Sequence, residues 1–171
     1  MATIPGTVAE TAVYETDLAG LTRLHRGKVR DLYALDDERM LIVATDRLSA
    51  FDVVLPDPIP GKGRVLNEIS LFWFARTAHI VPNHLTGLPL SAVISDAAQL
   101  QLLEGRAVIV KRLRALPIEA VVRGYLIGSG WNDYRASGAV CGIELPAGLE
   151  TTAVTAFQTT WHSASLHSAC F

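Results

Sequence analysis

Hydrophobic and polar residues follow one another in a pattern that predicts a mixed α+β chain. Residues 24–33 alternate between apolar and charged positions, which is typical of a strand or of two strands joined by a turn. Residues 40–46 are apolar enough for a central strand, and residues 107–113 and 117–124 indicate two more. Strands spaced in this way predict a sheet as the centre of the fold.

Helices are predicted at two places. Over residues 65–80 the side chains Leu66, Ile69 and Trp73 recur at helical spacing, and Pro82 ends the pattern. We expect this helix to lie with its apolar face on the sheet. A shorter helix is predicted over residues 131–137, closed by a glycine. The stretch 50–63 is rich in proline and glycine and is predicted to be a loop.

Composition excludes several classes of protein. The 171 residues are 50% hydrophobic and 19% charged, as in soluble globular proteins, with a net charge of −2. Neither nucleic acid nor a membrane is expected as a partner, because there is no basic stripe and no apolar run near the roughly 20 residues of a membrane span. No basic residue precedes Arg23, so a targeting segment is not expected and the cytoplasm is the predicted location. Cys141 and Cys170 are predicted to be free thiols.

The last 21 residues differ in character from the rest. All 15 basic and 17 acidic residues lie before residue 151. One interpretation is a tail foreign to the fold, from a frameshift or an aberrant end; the alternative is a genuine but unusual terminal segment. His162, His167 and Cys170 form at most a weak metal-site hypothesis.

Two short segments combine glycine with cations. In residues 27–31 a glycine precedes Lys28 and Arg30, so backbone amides and cations could approach a phosphate; a charged hairpin on a solvated face is the alternative. Residues 61–64 read Gly-Lys-Gly-Arg before a predicted helix, so they indicate either an anion site or a plain helix-entry loop.

Carboxylates and cations also cluster at two strand ends. Residues 45–52 (TDRLSAFD) follow a buried strand and are either part of a site or an Asx-type turn in which Asp46 and Ser49 cap backbone amides. Glu119 and Arg123 lie on one face of a predicted strand that leads to a Gly-Ser-Gly turn. They either bind a ligand or pair with each other.

Four ordered motifs resemble the SAICAR synthetase family. They are RGKVRDLY at residues 26–33, ATDRLSAFD at 44–52, PGKGRVL at 60–66 running into LFWF at 71–74, and PIEAVVRGYLIGSGW at 117–131. The resemblance covers residues 18–149. It implies an antiparallel-sheet, ATP-binding lobe of a kinase-like two-lobe α+β fold, and an ATP- and Mg²⁺-dependent ligase of purine biosynthesis. The implied substrates are ATP, L-aspartate and the carboxyaminoimidazole ribotide.

The resemblance also implies roles for individual residues. ATP is expected at Gly27, Lys28, Val29 and Arg30, with Lys28 as the main cation, and at Glu119. The imidazole substrate and aspartate are expected at Asp46, Arg47, Ser49 and Asp52. Arg123 and Ser129 are expected to hold a phosphate or carboxylate of the ribotide.

The family pattern continues through L-P-x-P-x-F-T-P-x-T-K and a later D-x-K-x-E-F-G strand with metal-binding carboxylates, and neither is found here. We therefore expect no metal ligands in this chain and a truncated second lobe. The predicted divisions are a leader at 1–17, a first lobe at 18–115, the start of the second lobe at 116–149 and a non-family tail at 150–171. Two functions remain open: an enzyme, or a nucleotide-binding fragment without turnover.

Overall fold

The computed structural model describes residues 11–114, 116–123, 125–150 and 158–163. The chain divides into two compact units, and the division falls between Leu113 and Arg114. Residues 1–10 of the expected leader, Gly124, His167 and Cys170 lie outside the described residues. The described helices are all too short or too polar to cross a membrane.

The first unit is built on an antiparallel sheet, as predicted. Its strands in chain order are β1 (Thr22–Arg26), β2 (Arg30–Ala34), β3 (Arg39–Ala44), β4 (Ser49–Ala50), β5 (Val53–Val54) and β6 (Ala107–Lys111). The main sheet has the order β1-β2-β3-β6, and β4 and β5 form a separate hairpin. The predicted strand-turn-strand at residues 24–33 is confirmed as the β1–β2 hairpin.

The central strand β3 is apolar because both of its faces are covered. Leu41 and Val43 are buried on one face, in a core with Tyr33, Leu103 and Ile109. The side chains that alternate with them, including Ile42 and Ala44, point to the other face. This second face lies under the first helix and carries the site described below.

The helices of the first unit are α1 (Lys62–Thr77) and α2 (Ala97–Leu103), with a short 3₁₀ turn at Leu90–Ala92. The predicted helix at 65–80 is confirmed, but its predicted core face is wrong: Leu66, Ile69 and Trp73 are exposed. The residues that α1 buries are Gly63 and Asn67. The helix approaches β3 so closely at Gly63 that small and polar residues occupy the contact.

The predicted loop at residues 50–63 contains the two-residue hairpin between β4 and β5. Its tip is formed by Phe51 and Asp52, whose φ angles are 49° and 64°. Two successive positive φ values define the turn type that favours Asn and Gly. The Phe51 side chain is fully exposed, so no packing offsets this backbone strain.

Replacing Phe51 with asparagine is expected to raise the free energy of unfolding by roughly 0.5–1 kcal/mol, because Asn tolerates the left-handed region better. Urea unfolding followed by circular dichroism measures the change. Ala50→Asn, one residue earlier on strand β4, is the matched control and is expected to give no gain. An equal gain in both variants would show that the backbone of the tip is not strained.

The second unit has fewer described residues. Its elements are β7 (Ile118–Arg123), α3 (Ser129–Ser137), β8 (Ala139–Val140), β9 (Ile143–Glu144) and β10 (Gln158–Ser163). Helix α3 confirms the predicted helix at 131–137 but begins two residues earlier, and its C-cap Gly138 has a left-handed φ of 72°. Cys141 is a free thiol, as expected.

One strand of the second unit was not predicted from the sequence. Strand β10 pairs antiparallel with β7 in a register that sets Gln158 opposite Arg123 and His162 opposite Glu119. The final 21 residues contain no glycine or proline, the residues that usually mark the turn of a strand pair, so the local sequence did not predict this strand.

Candidate functional site

Residues 27–30 form the first glycine-lysine loop, which joins β1 to β2. The loop is closed by a hydrogen bond from the Gly27 amide to the Arg30 carbonyl (2.8 Å). Its Val29 carbonyl accepts two bonds from Thr45, one from the amide (3.0 Å) and one from Oγ1 (2.8 Å). The end of strand β3 therefore holds this loop in place.

Arg47 is the second support of the first glycine-lysine loop. Its Nε donates to the Lys28 carbonyl (3.1 Å) and its Nη2 to the Gly27 carbonyl (3.0 Å). Nη2 also donates to Asp31 Oδ1 (2.8 Å), and Nη1 donates to the Tyr14 carbonyl (2.6 Å). Both Arg47 and Asp31 are buried. The sequence predicts Arg47 as a substrate-binding residue, whereas the structure shows its guanidinium bonded to protein groups.

Asp46 connects the same segment to the second glycine-lysine loop, residues 60–64, the last three of which form the first turn of helix α1. Its Oδ1 accepts from the Gly63 amide (2.8 Å) and from Arg106 Nη1 (3.0 Å), and its Oδ2 accepts from the Val13 amide (2.8 Å). The carboxylate is completely buried. Asp46 thus caps backbone amides, as the Asx-turn alternative suggests, but those amides are distant in sequence. Its predicted contact with substrate stays a prediction.

The protonation of Asp46 follows from these bonds. Burial alone would raise the pKa of the carboxyl, but the amides of Val13 and Gly63 and the Arg106 guanidinium outweigh it, so the pKa is lowered. Asp46 is therefore a buried anion bound between backbone amides and a cation.

The cations of the two loops lie in different surroundings. Lys28 Nζ contacts Asp52 Oδ1 at 2.5 Å, and this pair joins the first loop to the tip of the β4–β5 hairpin. The Lys28 ammonium lowers the pKa of Asp52. Burial and the positive charges of Arg30 and Arg47 lower the pKa of Lys62, although Asp46 opposes this shift. Positive charge from both loops therefore converges on the end of strand β3.

A cavity of about 240 Å³ lies between the sheet and helix α1. Its apolar wall comes from β3, β6 and α1, and the first glycine-lysine loop borders it through Val29 and Arg30. The lining residues that carry polar groups are Arg30, Thr45, Asn67, Ser70 and His84. The cavity is therefore a flat apolar slot next to a cationic loop.

His84 is a residue of this cavity that the sequence does not single out. It was predicted to be a surface or core residue, because no other histidine shares its spacing. Burial, together with the charge of Arg30, lowers its pKa, so the ring is neutral at pH 7. Phe74 contacts it with ring centroids 5.3 Å apart. Only the fold brings these two residues together.

The remaining predicted site residues fall in two places. Ser49 is half-buried on strand β4, and Asp52 is exposed at the hairpin tip. Glu119, Arg123 and Ser129 belong to the second unit. Strand β7 carries Glu119 and Arg123, and Ser129 begins helix α3 after the N-cap Gly128, so the expected Gly-Ser-Gly turn is a helix start.

A metal ion would need oxygen or nitrogen ligands that converge. Among the described residues, no group of three or more His, Cys, Asp or Glu side chains is placed to hold one. The carboxylates of Asp31 and Asp46 are buried against protein donors, and the carboxylate of Asp52 is paired with Lys28. These residues do not fit a resident metal site.

Fold and site together define an α+β protein in which a cationic glycine-lysine loop borders an apolar cavity. The family model described as SAICAR synthetase matches residues 23–163. The chain belongs to the SAICAR synthetase family. The match continues past Glu150, where the resemblance carried by the motifs ends; the origin of the final residues stays a prediction.

Curated relatives agree with this assignment. The chain is 65% identical over 141 residues to the phosphoribosylaminoimidazole-succinocarboxamide synthase of Methylococcus capsulatus. The aligned region covers 82% of this chain and 48% of that protein. It is 62% identical to the protein of that name from Thioalkalivibrio sulfidiphilus, covering 80% of this chain and 46% of the relative. The chain thus spans about half the length of the curated relatives it matches.

Solved structures show the same fold. A structure described as SAICAR synthase superposes with a TM-score of 0.80 at 35% identity, covering 89% of this chain and 54% of the other. The SAICAR-synthase of Saccharomyces cerevisiae complexed with SAICAR gives 0.78 at 36% identity, with the same coverage. A more distant SAICAR synthetase in complex with ADP, 22% identical with a TM-score of 0.55, shares the fold.

Proposed function

We propose that this chain carries the ATP- and ribotide-facing part of a SAICAR synthetase. That enzyme is the ATP-dependent ligase that joins L-aspartate to 5-aminoimidazole-4-carboxyribonucleotide in purine biosynthesis. The observation that carries the proposal is the apolar cavity bordered by the first glycine-lysine loop, in a chain that belongs to this family. The cytoplasm is the proposed location.

ATP is proposed to bind with its adenine ring in the cavity and its phosphates along the first loop. Ile42, Ala44 and Val108 supply flat apolar contacts for a ring, and neutral His84 can hydrogen-bond without a charge. Arg30 lines the cavity and belongs to the first loop. The phosphates would therefore extend from Arg30 along the loop towards Lys28. Lys28 would have to exchange Asp52 for phosphate, because the two are paired at 2.5 Å. Glu119 is a further proposed ATP contact.

The predicted substrate-binding residues remain candidates for contact with the ribotide and aspartate. Ser49 and Asp52 are candidates in the first unit, and Arg123 and Ser129 are candidates for a phosphate or carboxylate of the ribotide. Arginine suits this role because its planar donors match such oxyanions. The yeast relative in complex with SAICAR supports a ribotide as the ligand.

The proposed chemistry proceeds in two steps. The γ-phosphoryl group passes from ATP to the ribotide carboxylate, and the aspartate amine then displaces phosphate to form the amide. The contribution of this chain is positional and electrostatic, since the cations of the two loops offset negative charge on the transferring group. Mg²⁺ would accompany the nucleotide as a phosphate counter-ion, since the described residues do not form a metal site.

A second candidate function is nucleotide binding without turnover. The observations that favour it are the cavity and the first glycine-lysine loop beside it, which concern the nucleotide alone. The purified chain should be supplied with ATP, Mg²⁺, L-aspartate and the carboxyaminoimidazole ribotide, and amide product measured. ATP binding with no product supports the second candidate, and product formation supports the ligase.

Replacing Gly27 with alanine is expected to weaken ATP binding about tenfold or more while leaving the fold intact. An added Cβ would meet only the Arg30 carbonyl oxygen at 3.4 Å and the His25 ring at 3.9 Å, which are ordinary contacts. The free protein therefore has room for an alanine side chain at this position. We expect the same side chain to clash with a bound triphosphate. Isothermal titration with ATP measures the loss.

The control for this change is Gly148→Ala, where no atom lies within 4 Å of the added Cβ. Its φ of +81° predicts a small loss of stability and no loss of ATP affinity. Unaltered ATP affinity in the Gly27 variant would show that the first loop does not contact the nucleotide.

A further inference from the structure

We infer that Asp46 and Arg47 are positioning residues: they hold the two glycine-lysine loops in place and do not contact substrate. The inference deepens the proposed function and rests on it in one respect, that the first loop faces the phosphates. It replaces the substrate-binding role that the sequence predicts for these two residues.

The contacts of Arg47 carry the first half of the inference. Three successive carbonyls of the first loop are bound by the 45–47 segment: Arg47 takes those of Gly27 and Lys28, and Thr45 takes that of Val29. Arg47 is itself fixed by Asp31, and both side chains are buried. All three guanidinium nitrogens of Arg47 donate to protein oxygens, so this group is not placed to bind a substrate anion.

Binding the carbonyls also orients the amides. In a trans peptide the C=O and the following N–H point in opposite directions. With the carbonyls of residues 27–29 directed to the 45–47 segment, the amides of residues 28–30 point away from it. Hydrogen bonds to a cation also polarise these peptide groups, which makes their amides stronger donors to an anion. Arg47 would therefore act on a phosphate through the backbone.

Asp46 acts on the second glycine-lysine loop in the same way. Its Oδ1 binds the Gly63 amide and Arg106, and the Ile59 amide donates to its backbone carbonyl (2.9 Å). Asp46 thereby holds the second loop at both ends. The first loop is held by the next residue, Arg47. Because Asp46 and Arg47 are consecutive, the separation of the two loops is fixed by a single peptide.

Arg47→Lys tests the inference, because it keeps the charge but replaces a fork of donors with one ammonium. The full chain should be titrated with ATP and with adenosine. We expect affinity for ATP to fall about tenfold and affinity for adenosine to change less than twofold, since the lost orientation concerns the phosphates only. We also expect the amides of Gly27 and Thr45, which donate hydrogen bonds within this network, to exchange about tenfold faster in NMR-detected hydrogen exchange. Arg39→Lys, at an exposed ion pair with Asp36, is the control and should change neither.

Equal losses of ATP and adenosine affinity would overturn the inference, since they would show a general structural defect. Unchanged ATP affinity together with unchanged amide exchange would also overturn it. If the unsubstituted chain binds neither ligand, the proposed function fails, and the exchange rates of the Gly27 and Thr45 amides still decide the positioning role. Should Arg47→Lys not fold, Thr45→Val and Thr45→Ser replace it. The valine variant lacks the Oγ1 bond to the Val29 carbonyl and should lose ATP affinity about threefold, whereas the serine variant should keep it.

Discussion

Replacing Gly63 with alanine is expected to lower the free energy of unfolding by about 3–5 kcal/mol. A Cβ at this position would lie 2.2 Å from the carbonyl oxygen of Ala44 and 2.8 Å from its carbonyl carbon. Both atoms belong to the backbone of the central strand, so neither can turn aside as a flexible side chain would. Helix α1 must therefore move away from β3.

That movement also breaks the hydrogen bond from the Gly63 amide to Asp46 Oδ1 (2.8 Å). A buried carboxylate then loses one of its donors, which adds to the loss from the clash. Urea unfolding followed by far-ultraviolet circular dichroism measures the change. Gly87→Ala is the matched control: its φ is +73°, but no atom lies within 4 Å of the added Cβ, so a loss near 1 kcal/mol is expected. Equal losses in the two variants would mean that the close approach of α1 to β3 is not as described.

Replacing Asp46 with asparagine is expected to destabilise the protein by roughly 3–5 kcal/mol at neutral pH, because it removes a buried carboxylate that pairs with the buried Arg106 guanidinium at 3.0 Å. An amide group also puts a donor where the carboxylate accepted from Val13, Gly63 or Arg106. Denaturant unfolding at pH 7 gives the size of the loss.

The pH dependence identifies the cause of this loss. The pKa of Asp46 is lower in the folded protein than in the unfolded chain, where it is about 3.9. Its contribution is therefore present above pH 4 and is lost as the pH falls through the folded value. The difference between the unsubstituted protein and Asp46→Asn should shrink as the pH is lowered from 7 to 3. Asp36→Asn removes an exposed carboxylate paired with Arg39 and should have a much smaller effect at pH 7. A loss for Asp46→Asn that does not change with pH would contradict the ionic role.

The four strands of the main sheet could be predicted from local sequence because each carries its own signal, whereas the β4–β5 hairpin falls where a loop was predicted. The β1–β2 hairpin follows from alternation around Gly27, and β3 follows from its continuous apolar run. Helix α1 was predicted within a few residues, but its buried face was not. The apolar spacing of Leu66, Ile69 and Trp73 pointed to one face, whereas the close approach to β3 at Gly63 buries Gly63 and Asn67 instead.

The candidate site shows the same difference between what local sequence predicts and what only the packed fold decides. The types of residue that matter were visible: glycines and lysines in two loops, and a carboxylate and an arginine after a buried strand. Their roles were not visible, because a role depends on what each side chain reaches. Arg47 could have faced a ligand or the protein, and only the fold shows it bonded to carbonyls 20 and 19 residues away. His84 and Phe74 carry no motif and join the cavity only through packing.

The sequence by itself determined the family, the antiparallel α+β class and the chemical character of the two glycine-lysine loops. These properties reside in residue identity and local spacing, which do not depend on distant contacts. Only the packed fold shows which face of α1 is buried, that the buried Asp46 and Arg47 side chains hold the two loops, and that a cavity adjoins the first loop. Those features depend on groups that lie far apart in the chain and meet only when the sheet and helix pack, so no local pattern could encode them.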